Sequence, residues 1–157
     1  MKVLVLGANG MAGHTICLYF KEKGHDVTAF SVVPFPYCNN IIGDAFDTIA
    51  FQKILLDGNY NLVINCIGLL NQIADSNPSK AVYLNSYLPH LITDTLKDKK
   101  TKLIHMSTDC VFAGNTGPYF ENSLHDGRTF YDRTKALGEV QDEKNLTFRN
   151  SIIGPDM

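Results

Sequence analysis

Short apolar runs alternate along the chain with longer stretches whose apolar residues recur every three or four positions, which predicts strands and helices in turn. Val3–Leu6 is an unbroken apolar run stopped by Gly7, as expected of a strand covered on both faces in a parallel sheet. A helix is predicted from Gly10 to Lys23, with Met11, Ile16, Tyr19 and Phe20 at helical spacing and Gly24 placed to cap its end. Asp26–Phe30 reads as a second strand, and Ser31–Asn40, with Pro34 and Pro36, as loop. Asn40–Gly43 is a short third strand, Asp47 starts a helix through Leu56, and Asn59–Ile67 is a fourth strand. Asn77-Pro78 opens a long helix to about Lys97, in which Pro89 is expected to make a kink. Thr101–Met106 is a fifth strand, 113–129 is loop, Tyr131–Val140 is a helix and Leu146–Ser151 a sixth strand. Such alternation predicts an α/β fold: a doubly wound parallel sheet with helices on both faces.

Composition narrows the class. The chain has 157 residues, 45% apolar and 19% charged, with 14 Lys and Arg against 16 Asp and Glu. That balance excludes a disordered tail and lacks the basic excess of a nucleic-acid binder. No apolar run approaches the roughly 18 residues of a membrane span. The opening MKVLVLG is too short for a secretory apolar core, so the cytoplasm is the expected location. Cys17, Cys38, Cys66 and Cys110 form no Cys-x-x-Cys pair and the histidines are scattered, so reduced thiols and no metal site are expected. The chain ends soon after a predicted strand, which reads as a domain cut from a longer protein.

Three motifs carry chemistry. Gly7-Ala-Asn-Gly10-Met-Ala-Gly13 lies between the first strand and first helix, where glycines let the backbone turn tightly and approach a pyrophosphate. The helix start then offers free N–H groups and positive partial charge. Tyr131 and Lys135 stand four apart on one helical face. An ammonium about 4 Å from a phenol, at an effective dielectric of ~20, stabilises phenolate by roughly 4 kcal/mol, about three pKa units. That is expected to bring Tyr131 toward the operating pH of a general acid. Ser107 and Thr108 close the fifth strand, where either hydroxyl could meet a ligand or simply cap the following turn.

Together these pieces resemble the extended short-chain dehydrogenase/reductase superfamily, and more closely its dTDP-4-dehydrorhamnose reductase and nucleotide-sugar 4-ketoreductase family. The strand motif Ser107-Thr-Asp-Cys-Val-Phe112 is similar to the family's S-T-D-Y-V-F, with Cys110 replacing tyrosine, and Tyr131-Asp-Arg-Thr-Lys-Ala-Leu-Gly-Glu139 to its Y-x-x-x-K-x-x-G-E helix. Asn65–Gly68, Leu84–Pro89 and Phe148–Gly154 fall where the family has comparable segments.

The resemblance implies a Rossmann-type NAD(P)-binding domain over 1–157, cut before the C-terminal substrate-binding region. It implies a reductase of a 4-keto nucleotide-deoxysugar in bacterial surface-polysaccharide precursor synthesis. Tyr131 would donate the proton, Lys135 would lower its pKa and hold the nicotinamide ribose, and Thr108 would hydrogen-bond the reacting oxygen. Asp109 would lie beside the sugar. Gly7, Asn9, Gly10, Met11 and Ala12 would bind pyrophosphate, and Asp44 and Ala45 the adenine. Asn65, Cys66, Ile67 and Gly68 would line the cofactor, with Asn85 beneath it on the long helix. Phe30-Ser31 carries no acid to select NAD, and Ser31 could contact a 2′-phosphate, so the reading leans to NADP over NAD. Members of the superfamily also pair as homodimers. The alternatives are an epimerase or dehydratase using the same Tyr131 and Lys135, or a non-catalytic dinucleotide-binding regulatory subunit.

Overall fold

A computed structural model describes residues 1–152 of the chain; the resemblance at Gly154 lies outside them. Six parallel strands form one sheet in the order β3-β2-β1-β4-β5-β6. They are β1 (Lys2–Leu6), β2 (Asp26–Ser31), β3 (Asn39–Ile42), β4 (Leu62–Asn65), β5 (Lys102–Thr108) and β6 (Leu146–Asn150). The order runs outward from β1 in one direction and from β4 in the other. The connections therefore diverge between β1 and β4, which opens a crevice beyond the carboxyl ends of those strands. This is the expected Rossmann-type sheet.

The central strands are apolar because both of their faces are covered. Val3, Leu4, Val5 and Leu6 are fully buried. Leu4 and Leu6 point to a cluster with Phe51, Leu55, Leu88 and Ile92, whereas Val3 and Val5 point to one with Cys17, Val27 and Ala29. A strand's alternation thus feeds two cores, one under each helical layer.

Helices α1 (Met11–Glu22) and α2 (Thr48–Asp57) lie where the periodicity puts them, to within a residue at each end, and α5 (Leu88–Leu96) fills the second half of the long helix expected to reach Lys97. Gly24 takes φ +77° just past α1, the left-handed stop that its sequence position suggests. Asp47 caps α2 by accepting from Ala50 N at 3.2 Å. Helix α6 (Phe130–Leu137) begins with a capping box, in which Thr129 and Asp132 bond each other's backbone N–H groups.

Two departures matter for the site. The helix expected over 77–97 is not one kinked helix. It is α4 (Pro78–Ala81), a π-helical turn (Val82–Tyr87) and α5. Pro89 has no N–H, so the Asn85 carbonyl four residues back loses its α-helical donor, and the wider turn absorbs the defect. The freed carbonyl becomes a packing surface: a Cβ on Gly138 would fall 1.8 Å from Asn85 O, so only glycine lets the end of α6 approach. The second departure is α3 (Asn71–Ser76), which the pattern did not announce. It buries only Ala74 and leaves Ile73 exposed, so it has no apolar periodicity to read.

Candidate active site

The glycine loop behaves as a cradle. Gly7 turns with φ +79° and its N–H bonds Phe30 O at 2.9 Å. Gly13 matters more than its place at the end of the run suggests: a Cβ there would sit 2.2 Å from Gly7 O. The start of α1 is therefore pressed against the loop. Gly10, its N-cap, supplies no side-chain cap. The N–H groups of Met11, Ala12 and Gly13 lack intrahelical partners by geometry and face the crevice mouth with the positive end of the dipole. Asn9 is exposed beside them and donates weakly to Pro34 O at 3.4 Å. The expected pyrophosphate residues are thus brought together at one anion-receptive turn.

On the far side of the crevice, Cys66, Ile67 and Gly68 leave the end of β4. Asn65 does not line the surface with them. Its fully buried side chain accepts from Ile67 N at 3.1 Å and donates to His105 Nδ1 at 3.2 Å, so it shapes the turn from below. Burial holds His105 neutral, its pKa well below the usual value. Burial also pushes the Cys66 thiol up to about 12 despite the cation of Lys135, which makes it an inert wall.

Asn85 likewise reaches no open space. Its amide accepts from Leu69 N at 2.8 Å, donates to Leu69 O at 3.0 Å and donates to Thr134 Oγ1 at 3.1 Å. With Ser86 Oγ donating to Thr134 O at 2.8 Å, the π-helical turn ties the loop after β4 to α6. The lining role expected of the Asn65 side chain therefore gives way to positioning from beneath, the place expected of Asn85.

Tyr131, Thr108 and Lys135 converge at the carboxyl end of β5, and all three are at least 93% buried. Burial raises the Tyr131 pKa, the Thr108 hydroxyl beside it draws it back, and Asp132 and Asp109 raise it again. The acidification expected from Lys135 is not what this structure shows. The Lys135 ammonium turns instead to Met106 O at 2.7 Å, and burial lowers its own pKa to about 8. Tyr131 is thus a fully protonated phenol at neutral pH, fit to donate. Lys135 lies under Gly68, where an added Cβ would be 3.9 Å from Nζ and 3.1 Å from Asn85 Oδ1.

The two hydroxyls of β5 part company. Thr108 faces Tyr131 and also caps the 3-10 turn at 109–111, accepting from Cys110 N at 3.2 Å. Ser107 points to the other face and donates to the buried Glu139 at 2.7 Å. Asp109 is exposed, and Ser151 Oγ donating at 2.6 Å holds its carboxyl below the ordinary range. Arg149 pairs with Glu139, its Nη2 at 2.8 Å from Oε2. That Arg149 pairs with an acid was one of two readings the sequence left open; that the acid is Glu139, shared with Ser107, was not legible, and the Gly138-Glu139 ending of the helix motif was its available signal.

On the adenine side, Asp44 is exposed at the end of β3 and accepts from Phe46 N at 3.0 Å, with Ala45 buried beside it. Ser31 does not serve as expected. It is 5% exposed, its proton goes to Val33 O at 2.8 Å, and its oxygen accepts from Asn40 at 3.0 Å. The Ser31 hydroxyl proton is thus committed, and this side chain gives no support to NADP over NAD.

A parallel sheet diverging at a glycine-lined turn, with a buried Tyr–Thr–Lys set across the gap, defines the short-chain dehydrogenase/reductase class. Within it, residues 1–152 match the family described as the RmlD substrate binding domain, and the chain belongs to that family. The probable low-salt glycan biosynthesis reductase Agl14 of Haloferax volcanii is 32% identical over 143 residues, covering 88% of this chain and 48% of that protein. The dTDP-4-dehydrorhamnose reductase of Streptomyces griseus is 30% identical over 138 residues, covering 87% and 43%. Methionine adenosyltransferase 2 subunit beta of Xenopus laevis is 28% identical over 142 residues, covering 88% and 41%. The crystal structure of a hypothetical dTDP-4-dehydrorhamnose reductase from Sulfolobus tokodaii superposes with a TM-score of 0.83 at 24% identity, over 95% of this chain and 55% of that one, and shares the fold. The chain spans about half the length of the curated relatives it matches. Among the described residues no helix is long and apolar enough to cross a membrane.

Proposed function

We propose that the chain is the dinucleotide-binding part of a nicotinamide-dependent reductase that acts on the 4-keto group of a nucleotide-linked deoxysugar. One observation carries this reading: Tyr131, Thr108 and Lys135 are buried together at the strand ends that face the glycine turn, Lys135 tied to Met106 O of the same strand as Thr108. The residues present fit the cofactor, since Gly7 and Gly13 close a turn that a Cβ would break and α1 opens without a side-chain cap. When bound, the nicotinamide supplies the hydride.

The chain's own residues do the rest. Thr108 hydrogen-bonds the substrate oxygen and orients it toward Tyr131. Tyr131 gives its proton to that oxygen as negative charge develops there. Lys135, held over Met106 O, places a buried positive charge beside the reacting groups, where low dielectric magnifies its effect. Asp109, kept ionised by Ser151, accepts from sugar hydroxyls. We assign the cofactor as NAD(P) without a choice of ribose phosphate. A cytoplasmic setting belongs to the same proposal.

The similarity to methionine adenosyltransferase 2 subunit beta favours a second reading, dinucleotide binding in the service of a partner. Tyr131→Phe in the full-length protein separates the two. On a panel of 4-keto nucleotide sugars with NADH and NADPH, the variant should lose about 100-fold or more in kcat while keeping its dinucleotide Kd within twofold. Ketosugar-dependent consumption unchanged by the substitution rejects the catalytic assignment.

A further inference from the structure

The π-helical turn that carries Asn85 also reaches the opposite end of the crevice. Tyr83 Oη donates to Ala45 O at 2.9 Å and accepts from Thr48 Oγ1 at 3.1 Å. Its ring stacks on Phe46, centroids 4.6 Å apart and planes 24° apart. The other polar contacts of this turn are mostly local: Phe46 N and Asp47 N both return to Asp44, each at 3.0 Å, and Gly43 N bonds Ser31 O at 3.0 Å. Tyr83 alone among these partners lies on the helical layer, 38 residues along the chain from Ala45. Residues two apart leave an α-helix roughly 200° apart, and the wider π-helical turn brings them closer still to opposite sides. Tyr83 and Asn85 therefore let one short element grip the turn after β3 and the loop after β4 together.

We propose that Tyr83 is a positioning residue for the adenosine half of the dinucleotide: through the Ala45 carbonyl and the Phe46 ring it fixes the turn that receives adenine, at a span from the nicotinamide half set by Asn85 in the same π-helical turn. The inference rests on the dinucleotide reading above. Loss of the Tyr83 hydroxyl frees the Ala45 carbonyl and lets the turn shift, while the grip of Asn85 on Leu69 stays intact. The cost therefore falls on one half of the ligand.

The test uses the full-length protein and its Tyr83→Phe variant, with ADP-ribose and NAD as titrants and steady-state kinetics alongside. Phe keeps the stacking on Phe46, and thermal unfolding confirms that the variant is folded. ADP-ribose and NAD should bind about 3- to 10-fold more weakly, the worth of one neutral hydrogen bond. KM for the dinucleotide should rise to match, with kcat within twofold. ADP-ribose affinity within twofold of wild type overturns the inference and leaves the cofactor reading standing. A fall in kcat equal to the rise in KM assigns Tyr83 a general structural role and overturns it too. Wild-type protein that binds neither titrant overturns the cofactor reading and this inference with it.

Discussion

Lys135→Met should make the chain's stability respond differently to pH. Lys135 is 5% exposed, and its pKa falls from 10.5 to about 8 because burial penalises the cation. The drop of about 2.5 units corresponds to roughly 3 kcal/mol of destabilisation whenever the amine is protonated in the folded state. The sign is set by proton counts. Below pH 8 both folded and unfolded chains carry the proton, so the penalty is complete and constant. Between pH 8 and 10.5 the unfolded chain binds more protons, so stability rises with pH. From pH 7 to 9.5 the wild type should gain about 2 kcal/mol that the Met variant does not. Urea unfolding of both proteins at the two pH values measures the difference. All other titrating groups are common to the pair, and the Cys66 thiol, near 12, stays protonated throughout. If the gap between wild type and variant changes by less than about 0.5 kcal/mol, Lys135 is not the desolvated cation described here. A protein that keeps such a group at the strand ends gives up stability for a charge at its site.

Two further substitutions test the scaffold around the site. Gly13→Ala puts a methyl 2.2 Å from Gly7 O, and because the contact is backbone on both sides the loop must move. It should cost about 1–3 kcal/mol by the usual scale of overpacking and abolish dinucleotide binding, read by thermal unfolding and by titration with NAD. Glu139→Gln leaves Arg149 without its ionic partner and weakens the acceptor for Ser107. A loss of about 2–3 kcal/mol in urea unfolding is expected, somewhat under the roughly 3–5 kcal/mol of a fully buried pair because Arg149 keeps a side-chain exposure of 18%. Replacing both residues by apolar ones of similar volume should recover most of that loss.

Much of the fold could be read from local pattern. Val3–Leu6, Val63–Ile64 and the Gly7, Gly10, Gly13 spacing state their roles within a few residues, because burial on both faces and close backbone approach each demand a particular residue type. Thr108, Tyr131 and Lys135 were also visible in sequence, since a four-residue helical spacing and a strand end place side chains predictably. The partners of those side chains were not visible. Lys135 was expected to acidify Tyr131 from one turn away, yet Met106 O, 29 residues distant in the chain, holds its ammonium. Ser31 looked available and proved bonded to Asn40, and Asn65 looked like a lining residue and proved to be a strut, while the bonds by which Asn85 holds the loop above it were not legible.

The amino-acid order by itself therefore determined the sheet, the glycine cradle and the positions of the proposed reacting groups, all of which follow from periodicity and short spacing. Only the tertiary structure decided which polar atoms remain free. A buried donor or acceptor must be satisfied by whatever neighbour the packing supplies, and that neighbour comes from a distant part of the chain.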